Sequence, residues 1–330
     1  MRAHLKLITG MLVVLSLVTA TTVAQEFNPF GDTQLHDAAR THDLARVQQL
    51  IDQGAVIDAR NKNGLTPLWC AAHRSSNPKI AEYLLDKGAQ IDARGPRGGT
   101  PLMVAAARSY IPEMVQLLLD RGAKIDNRNY SGSTAFMAAV SHSRQLEIVQ
   151  MLLDHGAQVV DRDEGGMTPL MFAVQHSYKP EIVQLLLDRG ADVQASSNID
   201  MTPLHFAAAR TSEPEIVQML LDRGARVEVK NNTGMTPLTY TAAHSSRPEI
   251  LQMLLKAGAQ LETRSKAGST PLMFAASFSK SPEMLQALLD NGADPLARSK
   301  DGKKASDYAK KNKKLVGTKA YQRLLEKSKE

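Results

Sequence analysis

The sequence predicts an all-α fold: a stack of about eight two-helix repeats, joined by short hairpin-like turns and closed by a C-terminal capping unit. Three observations predict it. The tripeptide Thr-Pro-Leu begins at Thr66, Thr100, Thr168, Thr202, Thr236 and Thr270, on a 34-residue spacing whose one gap is filled by Thr134-Ala135-Phe136. A Gly-Ala pair keeps the same register at Gly54, Gly88, Gly122, Gly156, Gly190, Gly224, Gly258 and Gly292. Aromatic residues make up only 5% of the 330 residues, and the apolar remainder is mostly Ala, Leu, Val, Ile and Met, which favours packed helices over sheets.

The N-terminus stands apart from the period. Arg2 and Lys6 precede an apolar run from Leu7 to Val18, and small residues close it at Thr22-Val23-Ala24, the three-part plan of a secretory signal. The run falls short of the roughly 20 residues that span a bilayer. A signal over residues 1–24 is therefore expected, cleaved after Ala24 with Ala20 as the alternative. A linker over 25–32 follows, and no later segment is long and apolar enough to hold a membrane.

The repeat array is expected over 33–298. Its first unit, opening at Thr33-Gln34-Leu35-His36, lacks the Pro and has a shorter, more polar loop near Thr41-His42-Asp43, as suits an end that faces water. In later units Thr is placed to cap an inner helix and Pro to occupy its first turn, where a missing N–H costs nothing. Alanines along the packed sides, as in Leu102-Met103-Val104-Ala105-Ala106, allow close approach of neighbouring helices. A second start signal at Pro78, Pro112, Pro180, Pro214, Pro248 and Pro282, mostly followed by Glu, opens an outer helix whose first turn suits an acidic side chain. That helix ends at the Gly of Gly-Ala, which takes a left-handed conformation without a Cβ penalty.

Residues 299–330 are expected to form a basic cap. A ninth start falls near Lys304, in Ala305-Ser306-Asp307-Tyr308-Ala309, and Thr318 is placed to cap a final helix. From Arg298 to Glu330 there are twelve Lys or Arg against four Asp or Glu, a local balance of +8, while the whole chain carries +6, or +4 without Arg2 and Lys6. Positive charge is thus concentrated at one end. Only Tyr308 and Tyr321 stand among these lysines, fewer than a single-strand binder would want, so nucleic acid is not an expected partner and the role assigned is a solvated cap.

Thr-Pro-Leu, then Ala-Ala, then a run such as Glu181-Ile182-Val183-Gln184-Leu185-Leu186-Leu187-Asp188-Arg189-Gly190-Ala191-Asp192-Val193 resembles the ankyrin repeat, whose usual unit is one residue shorter. The extra residue falls in the inter-helix loop, as in Arg210-Thr211-Ser212-Glu213, a style seen in exported bacterial members. The resemblance runs from about residue 33 to the C-terminus. It implies a non-enzymatic protein-interaction module acting as scaffold, inhibitor or protective partner. With the signal, it implies a periplasmic or secreted location. A secreted effector acting in another cell is the alternative, and a secreted hydrolase a remoter one.

No catalytic or metal set survives inspection. Ser76-Asn77-Pro78-Lys79 and Ser277-Phe278-Ser279-Lys280 match Ser-x-x-Lys without the partner motifs of that enzyme class. Gly95-Pro96-Arg97-Gly98-Gly99 lacks the Gly-Lys-Ser/Thr of a phosphate loop and sits where each repeat turns. His142, His176 and His244 share one repeat position, but stacked helices lie roughly 8–10 Å apart whereas zinc donors sit about 2 Å from the ion. No metal and no cofactor are expected. Cys70, the one cysteine, lies on an apolar helix face beside Trp69 and is expected to be an inert buried thiol.

In ankyrin repeats, as the resemblance implies, partners are held by the hairpin tips and the exposed face of the inner helices. The tips differ while the frame repeats, and Lys62, Arg97, Tyr130, Asn198, Asn232 and Lys266 stand at them. At the end of the inner helix the row reads Arg74, Arg108, His142, His176, Arg210, His244 and Phe278, with Tyr110 and Tyr178 in the loops that follow. Arg and Tyr are enriched at interface hot spots, so a protein partner on the concave face of a monomeric chain is the expectation.

Overall fold

The computed structural model describes residues 32–73, 77–108, 111–143, 145–176, 179–210 and 213–329, the side chains of residues 176 and 210 excepted. The signal and nearly all of the linker lie outside these residues, as do Arg74, Tyr110 and Tyr178. The described residues hold eighteen α-helices and no β-strand, the all-helical repeat fold that the 34-residue period predicts. The chain divides into two compact units, one ending at Gln158 and the other running from Val159.

In the first unit, inner helices α1 (Gln34–Arg40), α3 (Pro67–Ala72), α5 (Pro101–Arg108) and α7 (Ala135–His142) alternate with outer helices α2 (Leu44–Asp52), α4 (Lys79–Asp86), α6 (Pro112–Asp120) and α8 (Leu146–Asp154). Each inner helix packs on the next, α1 on α3, α3 on α5 and α5 on α7. Their contact sides are Leu68, Ala71 and Ala72, then Leu102, Ala105 and Ala106, all essentially fully buried. Counting the cap as the first position, small side chains at the sixth and seventh let these helices approach closely. The outer helices close the other side of the core with Met114, Val115 and Leu118 and with Ile148, Val149 and Leu152, none of them exposed.

The second unit repeats the recipe. Inner helices are α9 (Pro169–His176), α11 (Pro203–Arg210), α13 (Pro237–His244), α15 (Pro271–Phe278) and the short α17 (Ala305–Ala309). Outer helices are α10 (Pro180–Asp188), α12 (Pro214–Asp222), α14 (Pro248–Lys256), α16 (Pro282–Asp290) and α18 (Lys319–Lys327). The cap forms as the register near Lys304 and the hydroxyl of Thr318 suggest, with Thr318 Oγ1 accepting from Tyr321 N–H at 3.2 Å. Lys304 Nζ donates to the Ser328 carbonyl at 3.0 Å, closing the last helix against α17.

The capping logic holds with three refinements. Thr66, Thr100, Thr134, Thr168 and Thr236 each accept from the N–H three residues on, at 3.3–3.4 Å. At Thr33 and Thr202 a histidine takes over. His205 Nδ1 accepts from Thr202 N–H at 3.1 Å and lies 2.9 Å from Thr202 Oγ1, while Nε2 reaches the Met235 carbonyl of the next repeat at 3.1 Å. His36 does the same between Thr33 and the Leu65 carbonyl. The Thr270 hydroxyl, fully buried, makes no such bond. Pro78 lies one residue ahead of its helix, at the N-cap, instead of in the first turn, and Asn77 Oδ1 accepts from Lys79 N–H across it. Asp32, the last residue assigned to the linker, is buried and hydrogen-bonds Arg40 and the Asn61 amide, so the packed array takes it in.

A second period fastens the turns. Arg60, Arg94, Arg162 and Arg264 each donate from Nη1 to the glycine carbonyl four residues on and to the carbonyl 34 residues on. Lys230 reaches the Arg264 carbonyl in the same way, although at 3.4 Å. Each of these cations stitches its own turn to the next.

Candidate functional site

The hairpin tips have a structural half and an exposed half. Asn61, Asn129, Asp163 and Asn231 fold their side-chain oxygens back onto N–H groups two and four residues on, which builds the turn from within. The next residue then projects outward: Lys62, Tyr130, Asn232 and, in the equivalent tips, Asn198 and Lys266 are all exposed. Arg97 is exposed too, on a backbone with φ of 55°. Their backbones are not free, however. Tyr130 N–H donates to the Arg97 carbonyl, Asn198 to Gly165, Asn232 to Ile199 and Lys266 to Thr233, all between adjacent tips. Asn198 also commits its side-chain amide to the Glu164 carbonyl at 2.8 Å, which leaves it poorer as a contact residue than sequence position suggests.

Glycine is demanded where tips meet. A Cβ on Gly234, at φ +79°, would stand 2.7 Å from Lys266 N, so any side chain there pushes the neighbouring tip away.

The ends of the inner helices present the second set. In the first unit, Arg108 and His142 close α5 and α7 and are both exposed. Partial desolvation holds the His142 imidazole below its ordinary value, and the positive charge of Arg108 lowers it further. In the second unit, residues 176 and 210 close α9 and α11, with side chains outside the described set. His244 is exposed, its ring 5.8 Å from that of Tyr240 one turn earlier. Phe278 ends the row 59% exposed, with its ring 6.2 Å from Phe274.

A further stripe accompanies that row. Counting each inner-helix cap as the first position, the fifth is aromatic throughout the second unit: Phe172, Phe206, Tyr240, Phe274 and Tyr308, each 34 residues after the last. It holds five of the chain's fifteen aromatic residues (seven Phe, seven Tyr, one Trp). All but Phe206 keep part of their surface in solvent. Tyr240 receives a hydrogen bond from the Asn231 amide at 3.0 Å, and Tyr308 donates one to Ser299 at 3.1 Å, so both phenols are oriented from the preceding tip. Reading the repeats for identical letters hides this stripe. Reading them for chemical class would find it.

The remaining candidates for chemistry are quiet. Cys70 is buried, and burial pushes its thiol up to about 11 although the Arg40 guanidinium, 4.0 Å from the sulfur, pulls the other way. It is a protonated thiol at neutral pH, and the thiol is a poor nucleophile. Among the described residues no group of three or more His, Cys, Asp or Glu is placed to hold a metal ion, and no helix is long and apolar enough to cross a membrane.

What distinguishes the molecule is therefore its period and the surface that the period displays. A search of curated proteins finds no match. A family model described as ankyrin repeats (3 copies) matches residues 8–95, 102–197, 170–265 and 204–299. These matches follow the helices, the left-handed glycines and the stacked tips through most of the sequence, and the chain belongs to the ankyrin-repeat family.

Proposed function

We propose that this chain is exported and binds an acidic patch of a protein partner through the concave face of its inner helices, as a monomer and without catalysis. Ankyrin repeats are protein-interaction modules, and the family carries that much. The observation that supports the finer reading is the exposed pair Arg108 and His142, basic and imidazole side chains at equivalent repeat positions at the ends of α5 and α7. Arg210 and the histidines 176 and 244 carry the same chemistry at the same position in the second unit. The secretory plan of residues 1–24 supports export, and a periplasmic or secreted destination follows from it.

The test is affinity capture from an envelope extract with three forms of the protein. A species held by the wild type should be lost with Arg108→Glu/Arg210→Glu, since like-charge contact at an interface costs several kcal/mol. It should be retained with Glu181→Lys/Glu215→Lys, which alters two exposed glutamates that open outer helices α10 and α12. The reverse pattern would place the binding surface on the outer helices.

A further inference from the structure

The row of basic and imidazole side chains ends on a phenylalanine, and the local surroundings change with it. Phe278 stands where other repeats have Arg or His, and it flanks a cleft of about 400 Å³ between α15 and α17. Met273, Phe274, Ser277, Phe278, Tyr308 and Lys311 line it. Tyr308 is braced from two sides, by its bond to Ser299 and by the Lys303 ammonium 5.9 Å from its ring centre. The apolar walls are thus held open by a packed helix on one side and an anchored ring on the other. Around them the charge is one-sided. Lys310 pairs with Asp307 at 3.1 Å, but Lys311, on the lining itself, has no carboxylate partner among the described residues. Nor has the exposed Lys280, two residues beyond Phe278. Residues 298–330 carry +8 overall.

We propose that this cleft seats one large apolar side chain, aromatic or aliphatic, from an acidic segment of a partner protein, whose flanking carboxylates meet Lys311 and the neighbouring cap lysines. The inference deepens the binding role proposed above and rests on it. Bounded volume and charge both argue for a peptide segment. A cleft at the lower end of the ligand-sized range accepts a side chain or two, not a whole helix face. Aromatic walls around a central pocket with cations at the rim are the arrangement that makes an anchor residue dominate binding.

The experiment is a random-peptide display selection on the full chain, followed by affinity measurement on the synthesised winners. Enriched peptides should combine a large apolar residue with neighbouring Asp or Glu. Phe278→Arg, which installs the residue found at this position in other repeats, should weaken them at least about tenfold. Lys311→Glu should do the same and remove the salt dependence. Glu181→Lys/Glu215→Lys, on the outer helices, should leave them unchanged. Peptides without acidic residues, peptides that bind Phe278→Arg as tightly as wild type, or no enrichment at all would overturn the proposal. So would Phe278-dependent binding to phosphatidylglycerol vesicles in place of peptides, which would make the cleft a membrane contact. The outcomes separate the two readings. An envelope species lost with Arg108→Glu/Arg210→Glu, alongside an empty peptide selection, sinks the cleft alone. A peptide site without any such species sinks the envelope partner alone.

Discussion

The two units share one frame and differ at one inner-helix position. In the first, the fifth residue counted from the cap as the first is Asp37, Cys70, Val104 and Ala138, none with a ring. In the second it is Phe172, Phe206, Tyr240, Phe274 and Tyr308. The third, sixth and seventh positions do not vary in this way, since Leu68, Leu102, Leu204, Leu238 and Leu272, with the alanines behind them, are buried in either unit. Stacking is decided by those buried positions, so the ninth, and the fifth where it is part-exposed as at Phe172, Tyr240, Phe274 and Tyr308, are left to carry surface chemistry. The comparison teaches that a repeat protein can give its two halves different binding faces without altering its core.

The largest expected contrast concerns acid. His205 is fully buried in the second unit, and burial pulls its imidazole down to about 4 against the backbone bonds that favour its charge. The unfolded chain, at the ordinary 6.5, binds the extra proton over the interval between these values. Stability is therefore fully present above pH 6.5, falls by up to about 3 kcal/mol as the pH drops to about 4, and is flat below that. His36 in the first unit is also lowered by burial, but the nearby Asp32 carboxylate opposes the shift. His205→Met, using the residue found at the same position in Met103, Met137, Met171 and Met273, should flatten the pH dependence in denaturant melts more than His36→Met does. An unchanged slope in the His205 variant would end this account.

Glycine substitution gives the next contrast. Gly64 in the first unit and Gly234 in the second both have positive φ, 73° and 79°, so alanine costs about 1–2 kcal/mol at either. A Cβ meets nothing within 4 Å at Gly64, whereas at Gly234 it strikes Lys266 N, whose hydrogen bond to Thr233 ties two tips together. Gly234→Ala should therefore cost about 1 kcal/mol more than Gly64→Ala, the worth of that bond. Equal losses on thermal melting would mean that the tips yield freely.

Much of this was legible in the sequence, and the omissions have physical causes. Thr-Pro-Leu and Gly-Ala announce helix starts and stops because capping and left-handed turns each demand a particular residue at a particular place. The arginine ladder also keeps a 34-residue spacing, at Arg60, Arg94, Arg128 and Arg162, yet its acceptors are backbone carbonyls, which have no letter in a sequence. The one-residue offset at Pro78 comes with a bond from Lys79 N–H to Asn77, which depends on side-chain direction. The row of basic and imidazole side chains was readable as a register. Its change into an apolar cleft at Phe278 was not, because the cleft exists only when Tyr308, thirty residues later, folds opposite.

A smaller effect tests whether the aromatic stripe is also structural. Tyr240 OH accepts from the Asn231 amide, while Phe274, one repeat on, has no hydroxyl to tie to its tip. Tyr240→Phe leaves Asn231 Nδ2, on a buried side chain, without that acceptor and should cost about 1 kcal/mol. No loss on unfolding would show that the phenol is held for binding alone.

The smallest effect is electrostatic and belongs to the first unit, where no aromatic stripe exists to shape the row. His142 is held below its ordinary value by desolvation first and by the Arg108 guanidinium second. A positive neighbour disfavours the imidazolium, so removing it must raise the imidazole's value, and replacing it with a negative group must raise it further. Arg108→Ala should move His142 part of the way back towards 6.5, since burial remains, and Arg108→Glu should move it higher still. The same two changes should leave His244, in the other unit, where it was. Proton NMR of the imidazole Cε1–H resonances across pH 4–8 reads both histidines in one experiment, and 0.5 M salt should shrink the Arg108 effect by screening. A His142 value that does not respond to either substitution would break the claim that these two side chains form one electrostatic surface.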